Sequence, residues 1–228
     1  MNNEKIEKRK YKISILGDSI STYEGYNPRD YKVYYKDERL LENELENVKD
    51  TWWMRVIEAL DGTLCINNSF SGSTVTGESF PSACSDIRCA NLHGNTQPDL
   101  ILAYIGTNDR GFEQPIGIDA PENPNCFYGA YRQMLFKLKK NYPQTKIICG
   151  TIPMGKLKDG KHLEYDRFMR DDPRYNEAIR RAVREENCLL VDLAAFKERY
   201  ETLDFCHPTK SGHKTLADLW LKALEDVL

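Results

Sequence analysis

The stretch Ile13-Ser14-Ile15-Leu16-Gly17-Asp18-Ser19-Ile20-Ser21 decides the fold. It opens as an apolar run of strand length, predicted over residues 11–16, and breaks at once into small and polar residues. Four further runs of this kind follow, at residues 63–67, 100–105, 146–150 and 189–192. Most are rich in Ile, Leu or Val without polar alternation, the pattern of strands buried on both faces. Segments of helical period lie between them. Thr51 is placed to cap a helix over 52–60, with Asp61-Gly62 as its left-handed stop. Phe127, Ala130, Tyr131, Met134, Leu135 and Leu138 form one apolar stripe that ends at Asn141 and Pro143. Asp172 caps a helix with Pro173 at its first position, and Leu216, Leu219, Trp220, Ala223, Leu224 and Val227 mark a last one. Alternating strands and helices predict a parallel sheet with helices on both faces, because parallel neighbours need crossover connections.

No internal repeat, low-complexity tract or linker interrupts this order, so residues 1–228 are read as one domain. Three irregular insertions, at about 22–50, 73–98 and 110–125, each follow a strand. They gather at the carboxyl edge of the sheet, where open α/β sheets hold their ligands.

Composition narrows the classes. Of 228 residues, 32 are Lys or Arg and 35 Asp or Glu, a formal charge of −3 that offers no basic field to a nucleic acid. The 40% hydrophobic content suffices for a core, and no run reaches the roughly 18 apolar residues of a membrane span. The charged start MNNEKIEKRKYK is no signal peptide as it stands, so the expected location is cytoplasmic. Seven cysteines form no CxxC pair, and the Cys84–Cys89 spacing suits no common zinc site. They read as reduced, mostly buried small side chains, which leaves the sequon Asn67-Asn68-Ser69 idle.

The chemistry-bearing residues cluster at the predicted carboxyl edge. Ser19 lies just past the first strand on a turn able to expose its hydroxyl, although Asp-Ser alone is equally an ordinary helix cap. The third strand ends in Gly106-Thr107-Asn108-Asp109, which puts an amide N–H donor at the same edge. The second leads to Gly72, whose backbone can approach a ligand closely, with Gly77 as a nearby competitor. Near the C-terminus, Asp204-Phe205-Cys206-His207 sets a carboxylate three residues before an imidazole, close enough to fix its tautomer. These are the parts of acyl transfer: nucleophile, base, orienting carboxylate and oxyanion donors, in chain order Ser, Asp, His.

Over about residues 11–225 the chain resembles the SGNH hydrolases, the GDSL lipase/esterase family named for a Ser, Gly, Asn and His in separate blocks. Gly17-Asp18-Ser19-Ile20 matches the first block with Ile in place of the usual Leu, Gly72 the second, Gly106-Thr107-Asn108-Asp109 the third, and Asp204 to His207 the last. The resemblance implies a three-layer α/β/α sandwich with a five-stranded parallel sheet, flavodoxin-like in character. It implies ester hydrolysis through an acyl-serine, with no metal or organic cofactor. Ser19 would be the nucleophile, His207 the base and Asp204 its orienter; Ser19, Gly72 and Asn108 would form the oxyanion hole.

Rival motifs are weaker. Gly72 to Ser79 mimics a phosphate loop, but Glu78 stands where lysine is needed. His93, His162 and His213 are dispersed, and His213 has Lys210 rather than a carboxylate three residues before it. The charged stretch 36–49 reads as a solvated helix or lid. Tyr23, Tyr26, Tyr31, Tyr34 and Tyr35 crowd the first insertion, and rings with a polar tip suit sugar stacking. Tyr23, Tyr26, Glu24 and Arg88 are the candidate substrate contacts. With mean hydropathy −0.62 and polar, aromatic insertions, the expected substrate is a short-acyl ester, such as acetyl, of a polar alcohol or carbohydrate. Alternatives are a lysophospholipase or thioesterase, and a silent carbohydrate-binding module on the same fold.

Overall fold

A computed structural model describes residues 10–164 and 166–228. Residues 1–9, on which the reading of the amino-terminal leader rests, lie outside the described residues. In chain order the strands are β1 (Lys12–Gly17), β2 (Thr63–Ser69), β3 (Leu100–Tyr104), β4 (Lys146–Gly150), β5 (Gly155–Leu157), β6 (Leu189–Val191) and β7 (Tyr200–Thr202). The helices are α1 (Glu38–Glu42), α2 (Trp52–Ala59), α3 (Asp86–Ala90), α4 (Thr107–Gly111), α5 (Phe127–Asn141), α6 (Pro173–Glu185) and α7 (Lys210–Leu224).

One sheet runs β2-β1-β3-β4-β6, every pair parallel. Its strands match the five predicted runs to within two residues at each end. Alternation along β3 shows why both faces had to be apolar. Leu100, Leu102 and Tyr104 join the cluster under α2 and α7, whereas Ile101 and Ala103 join the one under α5 and α6. Trp52 of α2 stacks on Trp220 of α7, ring centroids 5.0 Å apart, which closes the first helical layer. Phe127, Tyr131, Met134 and Leu138 of α5 face Tyr175, Ile179 and Val183 of α6 across the second. The result is an α/β/α sandwich with helices on both faces of the sheet.

Helix ends follow the expected chemistry. Thr51 accepts the Met54 N–H, and Asp172 accepts the Arg174 N–H with Pro173 at the first position. Asp61 itself takes the left-handed conformation that stops α2, with φ +50°. Within the 36–49 stretch, read as a solvated helix or a lid, α1 is a short solvated helix with no buried residue. Only α1 and a short turn at 48–50 are helical, and the segment is fastened down rather than free. Lys210 N donates to the Asn43 carbonyl at 2.8 Å, and Lys158 pairs with Glu44. Leu45 is buried beneath.

A second, two-stranded sheet joins β5 and β7 in parallel and was not foreseen. Gly-Lys-Leu and Tyr-Glu-Thr are too short and polar to carry a strand signal. This ribbon sets the path of the chain into residues 204–207. Among the described residues, no helix is long and apolar enough to cross a membrane.

Candidate active site

The register of the sheet brings three loops together. Gly17, the last residue of β1, sits opposite Ser69 on one side and Tyr104 on the other. Ser19, Gly72 and Asn108 therefore leave from neighbouring strand ends. The strand order reverses between β1 and β3, and such a reversal opens a crevice at the carboxyl edge.

Ser19 begins a single 3₁₀ turn, Ser19–Ser21. Asp18 is the cap: its Oδ1 accepts the Ile20 N–H at 3.0 Å. The two readings of this motif are thus compatible, since Asp18 does the capping and frees the Ser19 hydroxyl. A side chain on Gly17 would strike the Ser21 side chain at 2.7 Å, so only glycine lets the turn fold back this tightly. Burial, reinforced by the nearby charge of Asp109, pushes the Asp18 carboxyl up to about 7.

His207 comes from the opposite end of the chain. Between Asp204 and His207, Phe205 adopts φ +61°, a left-handed kink that curls Asp204 back over the following backbone. Asp204 Oδ1 accepts the N–H of His207 at 2.7 Å and of Cys206 at 3.1 Å. Its Oδ2 lies 2.6 Å from His207 Nδ1, and His207 Nε2 lies 2.9 Å from Ser19 Oγ. Burial penalises the Asp204 charge, yet these N–H donors outweigh it and hold the carboxyl below the usual carboxylate range. A carboxylate on Nδ1 keeps the proton there, so Nε2 is free to accept one from the serine. His213 takes no part. It is fully buried, its Nδ1 accepts the Trp52 N–H, and burial lowers its pKa to about 3.

Gly72 has φ +84°, a conformation that suits glycine and turns its N–H away from the local chain. Among the described residues neither the Gly72 N–H nor the Ser19 N–H donates a hydrogen bond. Gly77, the competitor for the same role, gives its N–H to the Pro124 carbonyl at 2.7 Å. Asn108 Nδ2 donates to the Ser73 carbonyl at 2.9 Å, which orients the amide and leaves its second hydrogen uncommitted. The apparent phosphate loop is filled by protein: the N–H groups of Val75 and Thr76 donate to the Asp109 carboxylate at 2.8 and 3.0 Å. Burial nonetheless pushes that carboxyl up to about 6.

The candidate substrate contacts separate. Arg88 is corrected: it is fully buried and its guanidinium is consumed within the fold. Nε donates to Asn68 Oδ1, Nη1 to the Pro81 carbonyl, and Nη2 to the carbonyls of Gly17 and Asn68, all at 2.7–2.9 Å. It braces the ends of β1 and β2 with four of its five N–H donors, and its side chain has no exposed surface to offer a ligand. Tyr23 is also buried, against Tyr26, which in turn leans on Trp53 of α2. These two rings anchor the insertion to the body. Glu24 instead lines a cleft of about 570 Å³ with Asn27, Arg29, Tyr31, Lys32 and Lys36. Tyr34, which no spacing rule singles out among five tyrosines, lies directly on the His207 ring.

No curated protein matches this sequence. Among solved structures, the chain is similar to a protein of Bacteroides uniformis assigned as a GDSL-like lipase, with 25% identity and a TM-score of 0.74 over 96% of this chain and 98% of that one. A Bacteroides ovatus protein of the same assignment gives 23% identity and 0.72 over 96% and 100%. A family two carbohydrate esterase from Clostridium thermocellum shares the fold at 16% identity and 0.58, over 96% of this chain and 65% of that one. The family model for GDSL-like lipase/acylhydrolase matches residues 11–160, about two thirds of the sequence. The chain belongs to the GDSL-like lipase/acylhydrolase family of hydrolases.

Proposed function

We propose that this hydrolase is a serine esterase that cleaves short-acyl carboxylic esters, such as acetyl esters, of a polar alcohol or carbohydrate. One observation carries the reading. Ser19 Oγ and His207 Nε2, 188 positions apart in sequence, lie 2.9 Å apart, with Asp204 on the far side of the ring. His207 takes the Ser19 proton as Oγ attacks the ester carbonyl carbon. The tetrahedral oxyanion faces the N–H groups of Ser19 and Gly72 and the Asn108 amide. Collapse expels the alcohol, which leaves with the proton from His207. Water, deprotonated by His207, then attacks the acyl-serine, and the acid departs as Ser19 regains its hydrogen.

Charged side chains in the first insertion support the polar alcohol. The cleft in the first insertion carries Glu24, Asn27, Arg29, Lys32 and Lys36, with Tyr31 as a ring on which a sugar can rest. A long alkyl chain would desolvate those charges without repayment. With p-nitrophenyl esters, kcat/KM is expected to be highest for acetyl and to fall toward decanoyl. A steady rise with chain length would overturn the short-acyl reading and favour the lysophospholipase or thioesterase alternative.

Asn108 tests the oxyanion assignment. Asn108→Ala is expected to lower kcat about 10²–10³-fold with little change in KM, the usual cost of one oxyanion donor. Steady-state kinetics on p-nitrophenyl acetate checks this, and a change confined to KM would remove Asn108 from the role.

A further inference from the structure

We infer that Tyr34 is a positioning residue for His207: its ring holds the imidazole in the plane of the Ser19 and Asp204 hydrogen bonds and stabilises its protonated form. The inference rests on reading His207 as the proton acceptor. The Tyr34 and His207 rings are stacked, with centroids 3.5 Å apart and planes 5° from parallel. Nδ1 and Nε2 are engaged in the ring plane by Asp204 and Ser19. Rotation about the Cβ–Cγ bond would swing the imidazole edge through the space Tyr34 fills, because at this separation the faces already touch.

The backbone around Tyr34 shows that this placement is built in. The Tyr34 N–H donates to Thr22 Oγ1 at 2.9 Å, and that hydroxyl donates to the Ser19 carbonyl at 2.9 Å. Next along the chain, the Tyr35 hydroxyl donates to the carbonyl of Pro208, which directly follows His207, at 2.9 Å. The pair Tyr34-Tyr35 thus ties the serine's turn to the histidine's loop, and core packing alone accounts for Tyr35 but not for a ring laid flat on the imidazole.

Charge adds to the geometry. When His207 accepts the serine proton it becomes an imidazolium, and the negative face of an aromatic ring attracts a cation. The other groups around His207 are the Asp204 carboxylate on Nδ1, the edge of Tyr35 at 6.5 Å and the buried Cys206 next in the chain. His213, neutral through burial, lies beyond Tyr35. The Arg39 guanidinium approaches the Tyr34 ring at 5.3 Å.

The test compares Tyr34→Phe and Tyr34→Leu with the parent protein. Phe keeps the ring face and loses the hydroxyl. Leu keeps an apolar side chain over the imidazole but is smaller and offers no ring. The readouts are an NMR pH titration of His207, assigned against His207→Gln, and kinetics on p-nitrophenyl acetate well below the unfolding temperature of each variant. For Leu, the midpoint of His207 is expected to fall by about 0.5–1 pH unit and kcat by about 3- to 10-fold, with KM nearly constant. Phe should match the parent in both. An unmoved midpoint in the Leu variant overturns the inference, as does a Phe variant that behaves like Leu. The titration needs no turnover, so an inactive parent would sink the esterase reading while leaving the Tyr34 result readable.

Discussion

Ser19→Ala is expected to abolish covalent labelling by a fluorophosphonate probe and to lower kcat by roughly 10³–10⁶-fold, the largest effect of any single substitution in this protein. The size follows from how a nucleophile, base and orienter act as a unit: once the attacking oxygen is gone, what survives comes from substrate binding and oxyanion donors alone. Little else should change. Ser19 Oγ makes its hydrogen bond to His207, whereas the turn is held by Asp18 on the Ile20 N–H and by Thr22 on the Ser19 carbonyl. The circular dichroism spectrum and unfolding midpoint should therefore stay close to the parent's. Intact-mass measurement after probe treatment checks the result. An adduct that persists in Ser19→Ala would mean that a different side chain is the nucleophile, and a parent without any adduct would favour the silent binding module.

Asp204→Asn should leave the fold intact and lower kcat by about 10⁴-fold, the loss seen when the orienting carboxylate of a serine hydrolase becomes an amide. The reason is local. An asparagine oxygen can still accept the N–H groups of Cys206 and His207, which Asp204 Oδ1 now accepts. Its NH₂, however, would face His207 Nδ1, where Asp204 Oδ2 sits at 2.6 Å. The imidazole would then carry its proton on Nε2 and present a donor to a hydroxyl that needs an acceptor. Because its N–H partners hold Asp204 below the usual carboxylate range, protonation of this group does not limit the parent near neutral pH. Single-turnover kinetics at neutral pH measures the loss. A loss below tenfold would indicate a Ser–His dyad that works without its carboxylate.

These two substitutions also show how unevenly the site could be read. The turn at Ser19 and the Asp-x-x-His spacing are local patterns, so their neighbours are visible in a short window of sequence. Arg88 was a candidate polar contact in the second insertion. Its burial depends on the carbonyls of Gly17, Asn68 and Pro81 converging on one guanidinium, which no window contains. Tyr23, Tyr26 and Tyr34 were equivalent by composition. Tyr26 on Trp53, with Tyr23 packed against Tyr26, made the first two anchors, and contact with His207 made the third a neighbour of the Ser19–His207 pair.

Taken by itself, the order of residues determined the layered α/β architecture, because short runs, most of them apolar on both faces, alternate with segments of helical period long enough to be crossovers. It also determined which strand ends bear Ser19, Gly72 and Asn108. What tertiary structure decided was everything that depends on distance across the chain. The polar β5/β7 ribbon and the left-handed Phe205 deliver the histidine to the serine, and Asp109 claims the backbone donors of the apparent phosphate loop. Periodicity reports which side of an element is apolar. It carries no record of which distant backbone carbonyl, ring face or hydroxyl will finally meet a given polar group, because those meetings are set by packing.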